Sequence, residues 1–387
     1  LKSGWITTGP RTRKLEDELN TYCNAQATLC LNSATAGLEL MLRWFGVKEG
    51  DEVILPAYTY AATANVVMHC GATPVLVDVN ADDFNINVDN LRTAITERTK
   101  AIMPVDIGGL PCDYHALSAL VVENKKLFKP NHPNQQKLGR ILLLSDAAHS
   151  LGATLDGKGT GTLADATVFS FHAVKNFTTA EGGAVCLNFP SSFNVNDVIT
   201  ELRTKALHGQ NKDALAKTQK GNWEYDIVEA GYKWNMPDVL AAIGLASLKD
   251  YDKTLKRRKE IVEAYNDFFS KQDWCETPLI QTNEKQSCYH LYMLRLKNVT
   301  ESQRNAVIQK IFDRDVSVNV HFKPLPLLSF YKQLGYNISD YPIAYDNYSR
   351  EISLPVYFSL TNEQVQTVCN AVKAAVEEVL QPAAARR

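Results

Sequence analysis

Lys175 stands in the stretch Ser170-Phe171-His172-Ala173-Val174-Lys175-Asn176-Phe177-Thr178-Thr179-Ala180-Glu181-Gly182-Gly183, just after the β-branched and apolar run Ala166-Thr167-Val168-Phe169. That run reads as a buried strand, so the lysine sits in a loop at a strand end, where a rigid sheet can hold a functional group in place. Apolar and hydroxyl neighbours strip its hydration, which lowers the pKa of an amine and frees it as a nucleophile. Asp146 is a second candidate, in Asp146-Ala147-Ala148-His149-Ser150 after Leu142-Leu143-Leu144. A carboxylate at the rim of a buried sheet needs a cationic or donor partner. Taken singly, each also has a plain structural reading: an exposed loop lysine, and an N-cap for the turn that follows.

Other segments must position these two. Residues 27–31 read as a strand, and Ser33-Ala34-Thr35 then opens a helix with Leu38, Met41, Leu42 and Phe45 at helical spacing. The free N–H groups at such a helix start, with small residues and a Thr hydroxyl, make a phosphate cradle. Strands are expected at 52–55, 73–78, 101–105, 140–145, 166–169 and up to Leu187, alternating with helices at 11–22 and 191–207. Tyr60 follows the second of these strands in Pro56-Ala57-Tyr58-Thr59-Tyr60. The alternation predicts an α/β fold with a mostly parallel sheet and helices on both faces, whose ligands sit at the carboxyl ends of strands. Residues 129–137 read as a polar surface insertion and 208–229 as a polar loop carrying Trp223 and Tyr225.

A long helical pattern runs from 239 to 269, and its charged run Lys256-Arg257-Arg258-Lys259-Glu260 reads as a solvated face. The expected division falls inside it, giving a large unit over 1–250 and a smaller α+β unit over 251–387. The latter has strands near 289–296 and 316–321, helices at 301–312 and 362–380, and a loose tail at 382–387.

Composition narrows the classes. A chain of 387 residues, 45% hydrophobic and 22% charged, can bury a large core. The formal net charge of −2 and the absence of a basic tract argue against nucleic-acid binding. Apolar runs such as 239–248 fall short of the ~20 residues that cross a bilayer. The eight cysteines are scattered without a C-x-x-C pair, which argues against structural zinc or any other metal site and for reduced thiols in a cytoplasmic protein. Because the chain begins at Leu1 rather than methionine, part of the N-terminus is expected to be missing.

A lysine and an aspartate at different strand ends, hydroxyls at a helix start and an aromatic past a third strand together form the set that pyridoxal 5′-phosphate (PLP) requires. The order and spelling resemble the DegT-type sugar aminotransferases, fold-type-I PLP enzymes acting on nucleotide-linked keto sugars. The resemblance covers nearly the whole chain. It rests on Gly4-Trp5-Ile6-Thr7-Thr8-Gly9-Pro10, Ser33-Ala34-Thr35, Pro56-Ala57-Tyr58-Thr59-Tyr60, Asp146-Ala147-Ala148-His149, residues 170–183, residues 231–238 and His321-Phe322-Lys323-Pro324-Leu325. The lysine segment is similar to that of the branch producing 4-amino-4-deoxy-L-arabinose, and related 4-keto hexose enzymes spell it much the same way.

The resemblance implies a seven-stranded-type large sheet and a transaminase that takes its amino group from L-glutamate or L-glutamine by a ping-pong route. Its 4-amino sugar would serve surface polysaccharide or lipopolysaccharide synthesis. It further implies that Lys175 is the Schiff-base lysine, that Asp146 pairs with the pyridine nitrogen, and that His149 lies near the ring hydroxyl. Ala34, Thr35 and Ser170 would bind the phosphate and Tyr60 would stack on the ring. Asn235 would reach the cofactor of a neighbouring subunit in a homodimer with shared sites, and Trp5, Thr7, His321, Lys323 and Tyr331 would hold the nucleotide sugar. Ala34 and Ala180 stand where the family often has glycine, and Tyr60 where it has tryptophan or phenylalanine. Two other readings are a PLP-dependent sugar dehydratase, which would carry histidine in place of Lys175, and a cofactor-binding regulator without catalysis.

Overall fold

The computed structural model describes residues 2, 4–212 and 224–380; Trp223 and the expected tail at 382–387 lie outside the described residues. The main sheet holds β1 (Ala27–Leu31), β2 (Glu52–Pro56), β3 (Thr73–Val77), β4 (Thr99–Ile102), β5 (Leu142–Asp146), β6 (Ala166–Ser170) and β7 (Gly183–Leu187). Their order is β1-β7-β6-β5-β4-β2-β3, and only β7 runs against its neighbours. Every residue of β2, β5 and β7 is buried, as in strands covered on both faces. The cover comes from helices that include α1 (Pro10–Cys23), α2 (Ala34–Trp44) and α3 (Ala61–His69).

Register brings the chemistry-bearing residues to one edge. Asp146 pairs with Val168 across the parallel β5–β6 ladder, while Gly183 lies opposite both Ser170 and Leu31. The carboxyl ends of β1, β5 and β6 therefore meet, with the start of β7 wedged between β1 and β6.

The C-terminal part contains α4 (Asp238–Lys249), α5 (Tyr251–Phe269), β8 (Cys275–Glu276), β9 (Tyr292–Leu296), α6 (Glu301–Phe312), β10 (Glu351–Leu354) and α7 (Asn362–Leu380). The strands form a small antiparallel sheet in the order β8-β9-β10. It has a core of its own, built from Ile261, Tyr265, Phe269, Leu294, Ile311 and Val372 among others. Both α6 and α7 keep their expected bounds, and a Thr300/Gln303 capping box fixes the start of α6.

Four expectations are corrected. The single long helix is broken at Asp250 into α4 and α5, where Tyr251 turns inward and donates to the Leu151 carbonyl at 2.7 Å. Residues 316–321 are no strand. Asn319 makes one isolated bridge to Ser353, and His321 then gives its N–H to the Glu351 carboxylate instead of a ladder. Strand β9 starts only at Tyr292, because Tyr289 has φ +58° and the carbonyls of Tyr289 and His290 accept from Arg258. Residues 129–137 are no mere insertion. Gln135 is buried and donates to the Phe45 carbonyl, and Asn134 donates to that of Trp44, so these amides finish the carboxyl end of α2.

All eight cysteines are buried and free. Among the described residues no helix is long and apolar enough to cross a membrane, and no cluster of His, Cys, Asp and Glu could hold a metal ion.

Gly183 is a close backbone joint at the functional edge. A Cβ there would lie 2.5 Å from the Ala34 nitrogen and 2.8 Å from the Phe169 carbonyl oxygen. Because these are backbone atoms, Gly183→Ala is expected to destabilise the fold by about 1–3 kcal/mol in urea denaturation. An unchanged midpoint would contradict the close approach of β7 to α2.

Candidate active site

The loop after β6 is closed at its base. The Phe171 N–H donates to the Gly182 carbonyl at 2.9 Å, and the Phe171 carbonyl accepts from the Thr179 N–H at 3.0 Å. Below it, Phe171 and Phe177 pack edge to face in the core at 4.6 Å. Lys175 is thus held on a clamped loop, its own N–H donating to the His172 carbonyl at 2.9 Å. Burial pulls its pKa down to about 8, with the Asp146 carboxylate resisting the shift.

Asp146 ends β5 and is almost fully buried. Its Oδ2 accepts from the Thr63 hydroxyl at 2.9 Å and its Oδ1 from the Ala148 N–H at 3.3 Å. Burial raises its pKa, while these donors and the Lys175 charge pull the other way. Thr63 lies on α3 and is itself tied to the Thr59 hydroxyl at 2.8 Å.

Three rings make one wall. His149 lies against Phe322 with centroids 5.6 Å apart and planes 24° apart, and against His290 at 4.4 Å. Burial and nearby Lys175 hold His149 well below its ordinary pKa, so the ring is neutral. Its Nδ1 is buried with no hydrogen-bond partner. His321 adds a further neutral ring, its pKa lowered to about 4 by burial and Lys175. Its Nδ1 meets the Ser353 hydroxyl at 2.9 Å, and that hydroxyl donates to Glu351.

Lys175, Asp146, Thr63, His149, His290, His321, Phe322 and Ser353 line a cavity of about 980 Å³, joined by Ala34, Thr35, Tyr60, Ser170, Asn176, Glu181 and Arg258. The Ser33 hydroxyl accepts from the Ala36 N–H at 3.1 Å and caps α2, and Ser33, Ala34 and Thr35 at this helix start line the cavity. The arrangement fits PLP on its own terms. A buried carboxylate, an amine of lowered pKa, a helix start with hydroxyls and an orphaned His149 nitrogen converge on one space of suitable size.

Of the site residues read from the sequence, Ala34, Thr35, Tyr60, Asp146, His149, Ser170, Lys175 and His321 are brought together here. Tyr60 is 64% exposed at the start of α3, 5.9 Å from Phe322. Five residues are not among those lining this cavity. Trp5 donates to the Thr8 carbonyl at 3.1 Å, and the Thr7 carbonyl accepts from the Asp238 N–H. Asn235 donates to the Thr8 hydroxyl at 2.6 Å. Lys323 is exposed, and buried Tyr331 spends its hydroxyl on Asn65 and the Ala61 carbonyl, bracing α3.

Sequence reasoning missed Thr63, Asn176, Arg258, His290 and Phe322. Phe322 sits inside a motif that was noted, whereas Arg258 looked like part of a solvated face and is buried instead.

The matches to known proteins agree with this geometry. The profile of the DegT/DnrJ/EryC1/StrS aminotransferase family matches residues 1–373. The chain belongs to that family and is an aminotransferase. Among relatives, the spore coat polysaccharide biosynthesis protein SpsC of Bacillus subtilis is 36% identical over 97% of this chain and 92% of its own length. The UDP-4-amino-4-deoxy-L-arabinose–oxoglutarate aminotransferase of Shewanella sediminis is 31% identical over 97% of this chain and 93% of its own. Among solved structures, Spr1654 of Streptococcus pneumoniae in its PMP form superposes with a TM-score of 0.95 at 45% identity, covering 98% of this chain and 95% of that one. Its PLP form gives 0.94 at 43%, covering 98% and 94%.

Thr63 gives a test of how Asp146 keeps its charge. A hydrogen bond to a charged group is worth about 1.5–3 kcal/mol, so Thr63→Val is expected to raise the carboxyl pKa further. The acid limb of the pH–rate profile then moves to higher pH, because the carboxylate is lost earlier as pH falls. An unmoved limb would show that Thr63 does not support the charge.

Proposed function

We propose that this PLP-dependent aminotransferase moves an amino group from L-glutamate or L-glutamine to a nucleotide-linked 4-keto sugar. The observation that carries the reading is the convergence of Lys175 and Asp146 on one cavity that also receives the start of α2. PLP, when bound, supplies an aldehyde that the lysine amine can engage and a pyridine ring that takes up electrons from the substrate carbon.

The chain supplies the rest. Lys175 Nζ, its pKa brought close to neutrality by burial, holds and moves the proton. Asp146, steadied by Thr63 and Ala148, would supply the negative charge that pairs with the pyridine nitrogen. The N–H groups at Ala34 and Thr35, with the hydroxyls of Thr35 and Ser170, would hold the phosphate. His149, whose Nδ1 is buried and unpartnered, would hydrogen-bond the cofactor, and Tyr60 would pack against its ring. His321, held by Ser353, orients the sugar. Because the donor and acceptor must use one site in turn, ping-pong kinetics are expected.

The working form is a homodimer with shared sites. Asn235 is not among the residues lining its own chain's cavity, and Val239 and Ile243 just beyond it expose apolar surface, which supports a subunit contact there. Trp5, Thr7, Lys323 and Tyr331 belong to the sugar-nucleotide side of this reading. The break at Asp250 is the proposed division between the large and small domains. The product feeds surface polysaccharide or lipopolysaccharide synthesis from the cytoplasm, and the likeness to the spore coat polysaccharide biosynthesis protein supports the polysaccharide role.

Lys175→Ala is expected to abolish the yellow colour of the lysine-bound cofactor and to lower turnover on the order of 10³-fold or more. Asp146→Ala is expected to weaken cofactor binding and lose most transamination. Retained colour and turnover in the first, or wild-type turnover in the second, would contradict the assignments. Enzyme carrying the aminated cofactor, offered a panel of UDP- and dTDP-linked 4-keto sugars, is expected to regain its yellow colour with one of them; no response to any would contradict the sugar reading.

A further inference from the structure

Arg258 is a cation without a counter-charge. It is only 5% exposed, on the inward side of α5, yet it lines the cavity together with Thr254 one turn earlier. Its Nε donates to the Tyr289 carbonyl at 2.9 Å and its Nη2 to the His290 carbonyl at 2.6 Å. No carboxylate pairs with it among the described residues. Burial lowers its pKa to about 10, opposed only by the Cys288 thiol and Tyr251 phenol, which burial itself keeps neutral. The guanidinium therefore stays charged at neutral pH, and its Nη1, which makes no hydrogen bond within the described chain, is not walled in. A buried charge left unpaired is costly, so a structure that retains one at a cavity wall is matched to an incoming anion.

The position of Arg258 says which anion. His290, whose carbonyl it holds, has its Nδ1 2.8 Å from the Asn176 side-chain oxygen, and the Asn176 amide donates to the Cys288 carbonyl at 2.8 Å. Asn176 is the residue after Lys175. The guanidinium is thus fixed to the lysine loop by two consecutive hydrogen bonds, and it comes from elements other than α2 and β6, which form the phosphate cradle. Having given two N–H groups to carbonyls, it retains room for a small planar anion, and a guanidinium suits a carboxylate. A nucleotide diphosphate would be separated from the reacting carbon by a whole sugar ring, too far for a group tied to the neighbour of Lys175.

We propose that Arg258 is the carboxylate subsite for the amino donor: an α-amino acid, and the α-keto acid it leaves behind, rests its carboxylate on Nη1 with its reacting nitrogen toward Lys175. The inference rests on the transaminase reading and names its donor side. Asn176 and His290 act as positioning residues that hold this subsite and the lysine loop in one frame.

The test uses PLP-loaded enzyme in two ways. In the first, the donor half-reaction is followed by the absorbance of the bound cofactor, with L-glutamate and a panel of other α-amino acids. Arg258→Gln is expected to raise the half-saturating donor concentration roughly 100-fold, and Arg258→Lys, which keeps the charge and a donor, by less. Half-saturation by the sugar substrate is expected to stay within about twofold in both variants. In the second, glutarate, which carries carboxylates but no amine, is expected to raise the melting temperature of the wild-type enzyme and of Arg258→Lys but not of Arg258→Gln; UDP is expected to protect all three equally.

Unchanged donor saturation in Arg258→Gln overturns the proposal. So does a glutarate shift that persists in that variant or is missing from the wild type. Loss of UDP protection in place of glutarate protection overturns the carboxylate assignment. A wild-type enzyme that answers no amino acid refutes the transaminase reading instead, and the glutarate arm then still decides whether Arg258 holds a carboxylate. Should Arg258→Gln fold poorly, comparison of wild type with Arg258→Lys in both arms decides, since a weaker glutarate shift and higher donor requirement in the lysine variant are required.

Discussion

A carboxylate buried at the end of a central strand must find donors or give up its charge, and the site is arranged around how Asp146 meets that constraint. Its oxygens take the Thr63 hydroxyl and the Ala148 N–H, and Lys175 adds a favourable field from the neighbouring strand end. The same burial that threatens the aspartate acts on the lysine, holding its pKa near 8. One cause, burial, thus shifts the two groups in opposite directions, the carboxyl up and the amine down. The parallel pairing of β5 and β6 makes this possible, since it delivers both loops to a single edge.

The C-terminal part closes what the sheet opens. His321, Phe322, Ser353 and Arg258 come from segments far along the chain, yet they line the cavity with the strand-end residues. The contact is built from specific bonds: Tyr58 donates to the His321 carbonyl at 2.5 Å, and Arg258 grips the carbonyls before β9. The cavity is therefore a joint product of both cores, and α5 is tied to the Lys175 loop through Arg258, His290 and Asn176.

Much of this was legible in the sequence because strand-end chemistry is local. Lys175 follows a β-branched run, Asp146 follows three leucines, and Ser33 caps an obvious helix, so each announces its own position. What stayed hidden depends on tertiary packing. Arg258 sits in a run of charges whose periodicity does not reveal which member turns inward. His321 lies in a β-rich segment that would pass for a strand, but the Glu351 carboxylate takes its N–H in place of a ladder partner, and the residue lines the cavity. Gln135 and its neighbours look like surface filler, although they complete the end of α2. Polar side chains that serve distant carbonyls leave no local pattern.

The central claim is that one lysine, Lys175, is where this chain engages PLP. Reduction of the PLP-loaded enzyme with borohydride fixes any imine between cofactor and protein as a stable amine, and peptide mass spectrometry then locates the added pyridoxyl group. The account predicts a single modification, on Lys175. A pyridoxyl group on another lysine, or none on an enzyme that is demonstrably loaded, would contradict it.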